Sequence, residues 1–321
     1  MQTSTKPSKS IIITGANSGL GYYCAEAIAR SGQDWHIIIA SRNLPRVEEA
    51  VRNLIAETDY PHIEGMAIDL ASLASVRKFT QDFIAGERPP LQAIVCNAGI
   101  QVVSDTLYTE DGFEMTFGVN HLGHFLLVNL LLSHLGDRSR IVFVSSDTHD
   151  PEPNTGMPYP QYQNAELLAF PDNNDNDTDI GNTGRRRYTT SKICNIFCTY
   201  ELSRRLQKQQ LNITVNAFNP GLMLDTKLAR DYSQAELSAL SKTISASTLE
   251  KAKDSKTMGS LLARLILDRS LENATGKYFD GGEEIQSSDE SYDQKKATEL
   301  WESSVKLVKL SPREATVALH N

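Results

Sequence analysis

Tyr188 and Lys192 stand four residues apart in RRRYTTSKICN (185–195), at the start of an amphipathic run. Residues four apart on a helix share a face, so a phenol and an ammonium would meet there. A cation beside a phenol favours the phenolate and draws its pKa down from about 10 toward neutrality, which makes an acid–base pair. The same spacing also suits an ordinary surface helix, so the pair needs company. The first apolar run, SIIIT (10–14), leads into TGANSGLG, which supplies Gly15, Asn17, Ser18, Gly19, Leu20 and Gly21. A glycine-rich turn between a strand and a helix lets the backbone approach a pyrophosphate, and the helix N-terminus turns free N–H groups toward the anion. The second apolar run ends in ASRN, with Ser41 and Arg42 where an NAD site would carry an acid. An arginine there suits the oxygens of a 2′-phosphate, so the expected cofactor is NADP(H).

The elements that must position these groups can be read from apolar periodicity. Strands are expected at 10–14, 35–42, 63–70, 91–99, 140–146, 213–221 and 276–280. Between them lie helical patterns, including LGYYCAEAIARSG, LPRVEEAVRNLIAET, a helix opened by Ser72, a long one over 112–135, one over 188–209 and one near 257–268. Continuous apolar strands alternating with helices predict an α/β domain, a doubly wound parallel sheet with ligands at the carboxyl ends of its strands. The catalytic domain is expected over 1–280, with an insertion at 147–187 and a substrate-lid segment at 222–250. The tail, 281–321, is read as a helical part of the same domain. Within the insertion, Asp175, Asp177 and Asp179 alternate as in a calcium loop. Ile180 and Arg186 occupy the places that need Gly and Glu, so a solvated acidic loop is expected and no metal site.

Composition narrows the function classes. The chain has 321 residues, a net charge of −8 and 22% charged residues. An acidic protein lacks the basic face that nucleic acid or an anionic membrane requires. Cys24, Cys96, Cys194 and Cys198 sit in apolar segments without a Cys-x-x-Cys pair, and read as reduced core thiols. The polar opening MQTSTKPSKS has no signal-peptide character, and HFLLVNLLLSHL is interrupted by Asn129 and short for a membrane span. A cytoplasmic protein without an integral membrane segment is expected, as a monomer or homodimer.

Taken together, TGANSGLG (14–21), Asp69, CNAG (96–99), Asn120, Ser146, YTTSK (188–192) and NPG (219–221) resemble the short-chain dehydrogenase/reductase family, in its order and over roughly residues 10–280. The segments DLASLASVRKF, NHLGHFLL and YTTSKICNIF look like the branch that holds retinol dehydrogenases and protochlorophyllide reductases. The 42 positions from Ser146 to Tyr188 are also similar to the latter. Leu222 stands where those reductases carry a Cys, Gly99 where their motif usually lacks Gly, and GKYFD is closer to the retinol-dehydrogenase type.

The resemblance implies a Rossmann fold and a mechanism. Tyr188 would be the general acid in carbonyl reduction or the base in alcohol oxidation, and Lys192 would hold the nicotinamide ribose. Ser146, preferred over Ser145, would steady the substrate oxygen, and Asn120 would anchor a proton-relaying water. The cofactor would meet Asp69, Leu70, Asn97, Ala98, Gly99, Pro220, Gly221 and Thr226 besides the glycine-rich turn, Ser41 and Arg42. Met157, Tyr159, Tyr162, Leu167, Leu168 and Phe170 of the insertion, and Leu222, Met223, Leu224, Leu228 and Tyr232 after the sixth strand, could wall an apolar pocket. Three functions stay open. They are an NADP(H)-dependent oxidoreductase of a lipophilic aldehyde, ketone or alcohol, a light-dependent reductase of a tetrapyrrole double bond, and a non-catalytic NADP(H) sensor.

Overall fold

Runs of isoleucine and valine bury both faces in this chain, and strands of that kind pair in parallel under helices. The computed structural model describes residues 6–152, 155–171, 179–226, 228–234 and 252–314. Strands β1 (Lys9–Thr14), β2 (Trp35–Ser41), β3 (Ile63–Ala67), β4 (Leu91–Cys96), β5 (Leu135–Val144), β6 (Ile213–Asn219) and β7 (Lys277–Asp280) are parallel. The sheet order is β3-β2-β1-β4-β5-β6-β7-β8. The strand order turns back between β1 and β4, and in open α/β sheets a cleft opens at that switch.

Several strands stop short of their expected ends. Asp69, Asn97 to Gly99, Ser145, Ser146, Pro220 and Gly221 all lie beyond the last paired residue of their strand. Their polar or turn-forming character carries the backbone out of the ladder and over the carboxyl edge. At the far edge, β8 (Glu283–Ile285) pairs antiparallel with β7, an exposed strand that the expected helical tail did not include.

Helices cover both faces. On one side α1 (Gly19–Ala29), α2 (Leu44–Thr58) and α7 (Ser255–Leu267) pack on Ile11, Ile13, Ile37 and Ile39. On the other side α3 (Leu73–Ala85), α4 (Met115–His134), α6 (Ile180–Lys208) and α8 (Gln294–Leu307) enclose Ile12, Ile94, Ile141 and Val215. Ser72 caps α3 as expected, its hydroxyl accepting from the Ser75 N–H at 3.4 Å.

Two helices differ from their expected form. The run over 112–135 begins at Met115 and changes pitch, with an α-turn, a π-turn at Gly118–Leu122, α-helix at Gly123–Leu131 and a 3₁₀ turn at Leu132–His134. At 20 residues it is long and apolar enough to cross a bilayer, contrary to the length argument above, but 89% of it is buried inside the protein. Helix α6 starts at Ile180, two turns before the expected position, with the Asp179 side chain accepting from the Asn182 N–H at 2.9 Å. Gly184 falls inside the expected insertion but serves a close approach within α6. A Cβ there would stand 2.2 Å from the Val102 carbonyl oxygen.

The insertion is thus shorter than 147–187. It holds a 3₁₀ turn at Asp147–His149 and helix α5 (Ala165–Ala169) before α6 begins. Asp175 and Asp177 of the acidic stretch lie outside the described residues, as do most of the lid after Gln234 and the tail after Glu314. All four cysteines are buried and free.

Candidate active site

A cleft of ≈ 350 Å³ opens at the carboxyl ends of β1, β2, β4 and β5. The sequence-predicted cofactor residues line it, from Gly15, Asn17, Ser18, Gly19 and Leu20 through Ser41, Arg42, Asp69, Leu70, Asn97, Ala98 and Gly99 to Tyr188, Lys192, Pro220 and Thr226. Gly21 and Gly221 do not. Gly21 lies beneath the turn, where a Cβ would come within 2.5 Å of the Asn97 amide nitrogen. Gly221 makes the turn after β6, at φ +65, donating its N–H to Asn219 Oδ1 at 2.9 Å. The tight cradle depends on Gly15, which has φ +67 and leaves only 2.8 Å between a hypothetical Cβ and the Ala98 Cα. Both conditions exclude a side chain.

The hydroxyl of Thr14 ties the two central strands under this turn. It accepts from the N–H groups of Asn97 and Ala98, each at 3.0 Å, and meets His124 Nε2 at 2.8 Å. Burial lowers the His124 pKa to about 4, so the ring is neutral at physiological pH. At the β2 end, Ser41 and Arg42 are joined by Asn43 and Arg46, which sequence reading passed over. Arg46 falls in the first turn of α2, so its spacing from Arg42 was a readable signal.

At the β5 end the catalytic candidates converge. Tyr188 and Lys192 share one face of α6, and the Lys192 ammonium lies 5.3 Å from the centroid of the Tyr188 ring. It donates to the Val144 carbonyl at 3.2 Å. Burial lowers the Lys192 pKa to about 8. The expected effect of the cation on the phenol is not what this geometry gives. Burial first, and the Asp147 charge second, push the Tyr188 pKa up, while a hydrogen bond with Ser146 pulls it down. Lys192 sits over the ring face, and burial holds the phenol neutral.

The two serines divide their roles. Ser145 is buried and donates to the Lys192 backbone carbonyl at 2.8 Å, which fixes α6 against β5. Ser146 donates to Asp147 Oδ1 at 3.1 Å and lies near enough to Tyr188 to lower its pKa, but it is Ser145, not Ser146, that lines the cleft. Asn120 does not line the cleft but sits in the π-turn behind it. Its Oδ1 accepts from the Ile100 N–H at 2.8 Å, and its Nδ2 donates to the Ile100 carbonyl and to Ser191 Oγ. A π-turn of this kind often marks a functional position, because it re-aims one side chain within a helix.

The lid segment enters from the β6 side. Met223, Thr226 and Leu228 line the cleft, and Thr226 Cγ2 lies 3.7 Å from where a Cβ of Gly19 would be. Tyr232 is buried and close enough to Tyr188 to influence it, whereas Leu224 points to solvent. Asp231 pins this segment, its Oδ2 accepting from the Val103 N–H at 2.7 Å and from the Ser104 N–H and hydroxyl. The insertion does not wall the cleft as expected. Tyr162 is buried against Phe197 with its hydroxyl on Glu299, Tyr159 and Phe170 are exposed, and Leu167 and Leu168 line a separate cavity behind α6. Ile100, Met115 and Val119 supply apolar lining instead.

The same constellation runs through a known family. The sequence pattern of the short chain dehydrogenases matches residues 9–160. Human retinol dehydrogenase 13 is 36% identical over 308 residues, spanning 95% of this chain and 86% of its own. The chain belongs to the short-chain dehydrogenase/reductase family. Within that family, the chloroplastic protochlorophyllide reductase of Daucus carota is 34% identical, over 94% of this chain and 78% of its own. The solved structure of an uncharacterized protein from Mycobacterium Paratuberculosis is 27% identical, with a TM-score of 0.68 and 94% of each chain covered. The short-chain dehydrogenase/reductase branch that joins retinol dehydrogenases to protochlorophyllide reductases is therefore the one in which this chain lies. Asp147 and His149, which follow the serine pair in this short-chain dehydrogenase/reductase, were also missed from sequence. Two titratable side chains beside Ser146 were the available signal.

Proposed function

We propose that this chain is an NADP(H)-dependent oxidoreductase acting between a lipophilic aldehyde or ketone and its alcohol. The observation that carries the reading is one cleft with Ser41, Arg42 and Arg46 at one strand end and Tyr188 and Lys192 at another, with Ser146 beside the phenol. The residues fit a dinucleotide, because the Gly15 turn admits close backbone approach and the cations lie on the side of β2. A bound nicotinamide would supply or take the hydride at carbon. The proton at oxygen belongs to this chain. Tyr188 holds it, kept neutral by burial, with Ser146 beside the phenol. Lys192, anchored on Val144, presents a charge beneath the phenol ring for the ribose. Apolar groups at Ile100, Met115, Val119, Met223 and Leu228 favour a lipophilic substrate, in keeping with the retinol dehydrogenase relative. Four buried free thiols suit a reducing compartment such as the cytosol.

The test is NADPH consumption in the dark against a panel of lipophilic aldehydes and ketones, expected to show turnover. Light-dependent loss of protochlorophyllide absorbance, with no dark activity on any carbonyl, would replace this reading with the tetrapyrrole one. Binding of NADPH without either activity would favour a sensor.

Arg42 reports on cofactor choice. Charge-assisted bonds to a 2′-phosphate are worth roughly 1.5–3 kcal/mol. Arg42→Ala is therefore expected to weaken NADPH about tenfold or more, measured by fluorescence titration, and to leave NADH nearly unchanged. Equal losses for both cofactors would remove the phosphate-reading role.

A further inference from the structure

The loop after β4, residues 97–100, lines the cleft with all four of its members. It runs from the glycine-rich turn, where Gly15 presses on Ala98, to the catalytic pair. A Cβ on Gly99 would stand 3.5 Å from Asn120 Oδ1 and 3.6 Å from Lys192 Nζ. Different side chains hold its two ends. At the first, Thr14 Oγ1 accepts from the N–H groups of Asn97 and Ala98, each at 3.0 Å. At the second, Asn120 takes both backbone groups of Ile100, with Oδ1 accepting from the N–H at 2.8 Å and Nδ2 donating to the carbonyl at 2.9 Å. The other Nδ2 hydrogen goes to Ser191 Oγ at 3.0 Å, and Ser191 donates to the Tyr188 backbone carbonyl at 2.7 Å. The second clamp therefore reaches the helix that carries Tyr188 and Lys192.

Both clamps end on one side chain, the buried His124 of α4. Its Nε2 meets Thr14 Oγ1 at 2.8 Å, and its Nδ1 meets the Asn120 carbonyl oxygen at 3.2 Å. The protons can be placed. A carbonyl only accepts, so Nδ1 carries the hydrogen, and Nε2 of the neutral ring is left to accept. Thr14 Oγ1 has two lone pairs, and the two loop N–H groups take them. Its own proton then goes to His124, the Val95 carbonyl at 3.4 Å being the longer alternative. Burial holds the ring neutral against the Asn120 carbonyl, which favours its charge, and the Lys192 charge adds to burial. A ring needed for volume alone would not carry two polar atoms into a site where each must be satisfied.

We propose that His124 is a positioning residue of the reaction: it joins the clamps at the two ends of the 97–100 loop and so fixes Gly99 and Lys192 against the glycine-rich turn. This rests on the oxidoreductase reading above. His124 touches no reacting atom and acts through Thr14 on β1 and Asn120 on α4. With the ring in place, the floor of the cleft is held to the cofactor turn and to α6 in one register. Without it, each clamp keeps its own bonds to the loop, but the link between them is lost. A displacement on the order of 1 Å between bound groups is enough to cost about 100-fold in rate. The cost falls on the chemical step, because the backbone cradle at Gly15 and the cations at β2 remain where they were.

The experiment compares wild type with His124→Phe, which keeps a ring and removes both bonds, and His124→Gln, whose amide still offers one donor and one acceptor. His124→Phe is expected to lower kcat about tenfold or more while the NADPH Kd stays within about threefold, and His124→Gln recovers part of kcat. An unchanged kcat, or a loss that lies wholly in NADPH affinity, overturns the proposal. Two readouts need no turnover. In the wild type at neutral pH, nitrogen chemical shifts of the His124 ring, assigned by their loss in His124→Gln, should show a hydrogen on Nδ1 and a bare Nε2. The opposite tautomer overturns the clamp without any variant having to fold for activity. Amide hydrogen exchange should quicken about fivefold or more at both Ala98 and Ile100 in His124→Phe, the worth of a hydrogen bond, while β6 keeps its protection. Quickening at one end only, or equally throughout the chain, overturns the joining role. If the wild type turns over no carbonyl or alcohol, the oxidoreductase reading fails, and the exchange result alone decides whether His124 joins the two clamps.

Discussion

Tyr188→Phe is expected to lower turnover about 100-fold or more, the usual worth of a positioned acid. The exchange removes one hydroxyl and almost no volume from a residue that is 6% exposed, so the packing of α6 should survive. NADPH affinity should stay within a few-fold, because the backbone of the glycine-rich turn and Arg42 lie on other elements. The size of the loss follows from the geometry. Among the described residues that line the cleft, Tyr188 is the only tyrosine, and it stands beside Lys192. Steady-state rates and a cofactor titration on the same preparation decide it, and a Phe variant with most of its activity would remove Tyr188 from the chemistry.

Trp301→Ala is expected to cost about 3–5 kcal/mol of stability, the usual range for emptying a buried aromatic site. Trp301 is 1% exposed and meets Phe125 edge-on at 4.8 Å. The Arg205 guanidinium lies 5.1 Å from its ring centroid, and that guanidinium is itself buried in an ion pair with Glu201 at 2.6 Å. Removing the ring strips packing from a buried charge pair as well as leaving a cavity. A thermal melt should shift down by on the order of 10 °C, as a single transition. A separate early transition would instead show that α8 folds as an independent unit.

The doubly wound sheet was legible because its strands carry continuous apolar runs, such as III in β1, IIIA in β2, AIVC in β4 and IVFV in β5, which need cover on both faces. The motif residues at strand ends were legible for the complementary reason, since Asp69, Asn97 and Pro220 do not suit a buried ladder. What escaped was set by tertiary contact. The stretch 147–187 read as an insertion up to Tyr188, yet Gly184 within it lets α6 touch the Val102 backbone. The π-turn at Gly118–Leu122 has no signature in an apolar run that already satisfies a helical period. The insertion showed aromatic and aliphatic residues but not their direction, and Tyr162 and Ala165 face the core rather than the cleft. The expected influence of Lys192 on Tyr188 assumed that the ammonium approaches the hydroxyl. A four-residue spacing brings it over the ring instead, and the sign of the phenol's shift is decided by burial and by Asp147.

The position of α8 after the last parallel strand has a consequence for synthesis. Leu300, Trp301 and Val305 close a face of the core whose other members, Phe79, Phe125 and Phe197, are made much earlier. Until α8 leaves the ribosome, the nascent chain has all seven parallel strands yet exposes the aromatic surface that this helix covers. Parallel pairings across long sequence separations, such as β1 with β4, form slowly, and incompletely covered sheets are the species that aggregate. A chaperone that holds the chain until residues 294–307 have emerged should therefore raise the yield of soluble protein more than one acting on the early strands. Premature stop codons before residue 294 should send the product to proteolysis rather than to a partly active enzyme.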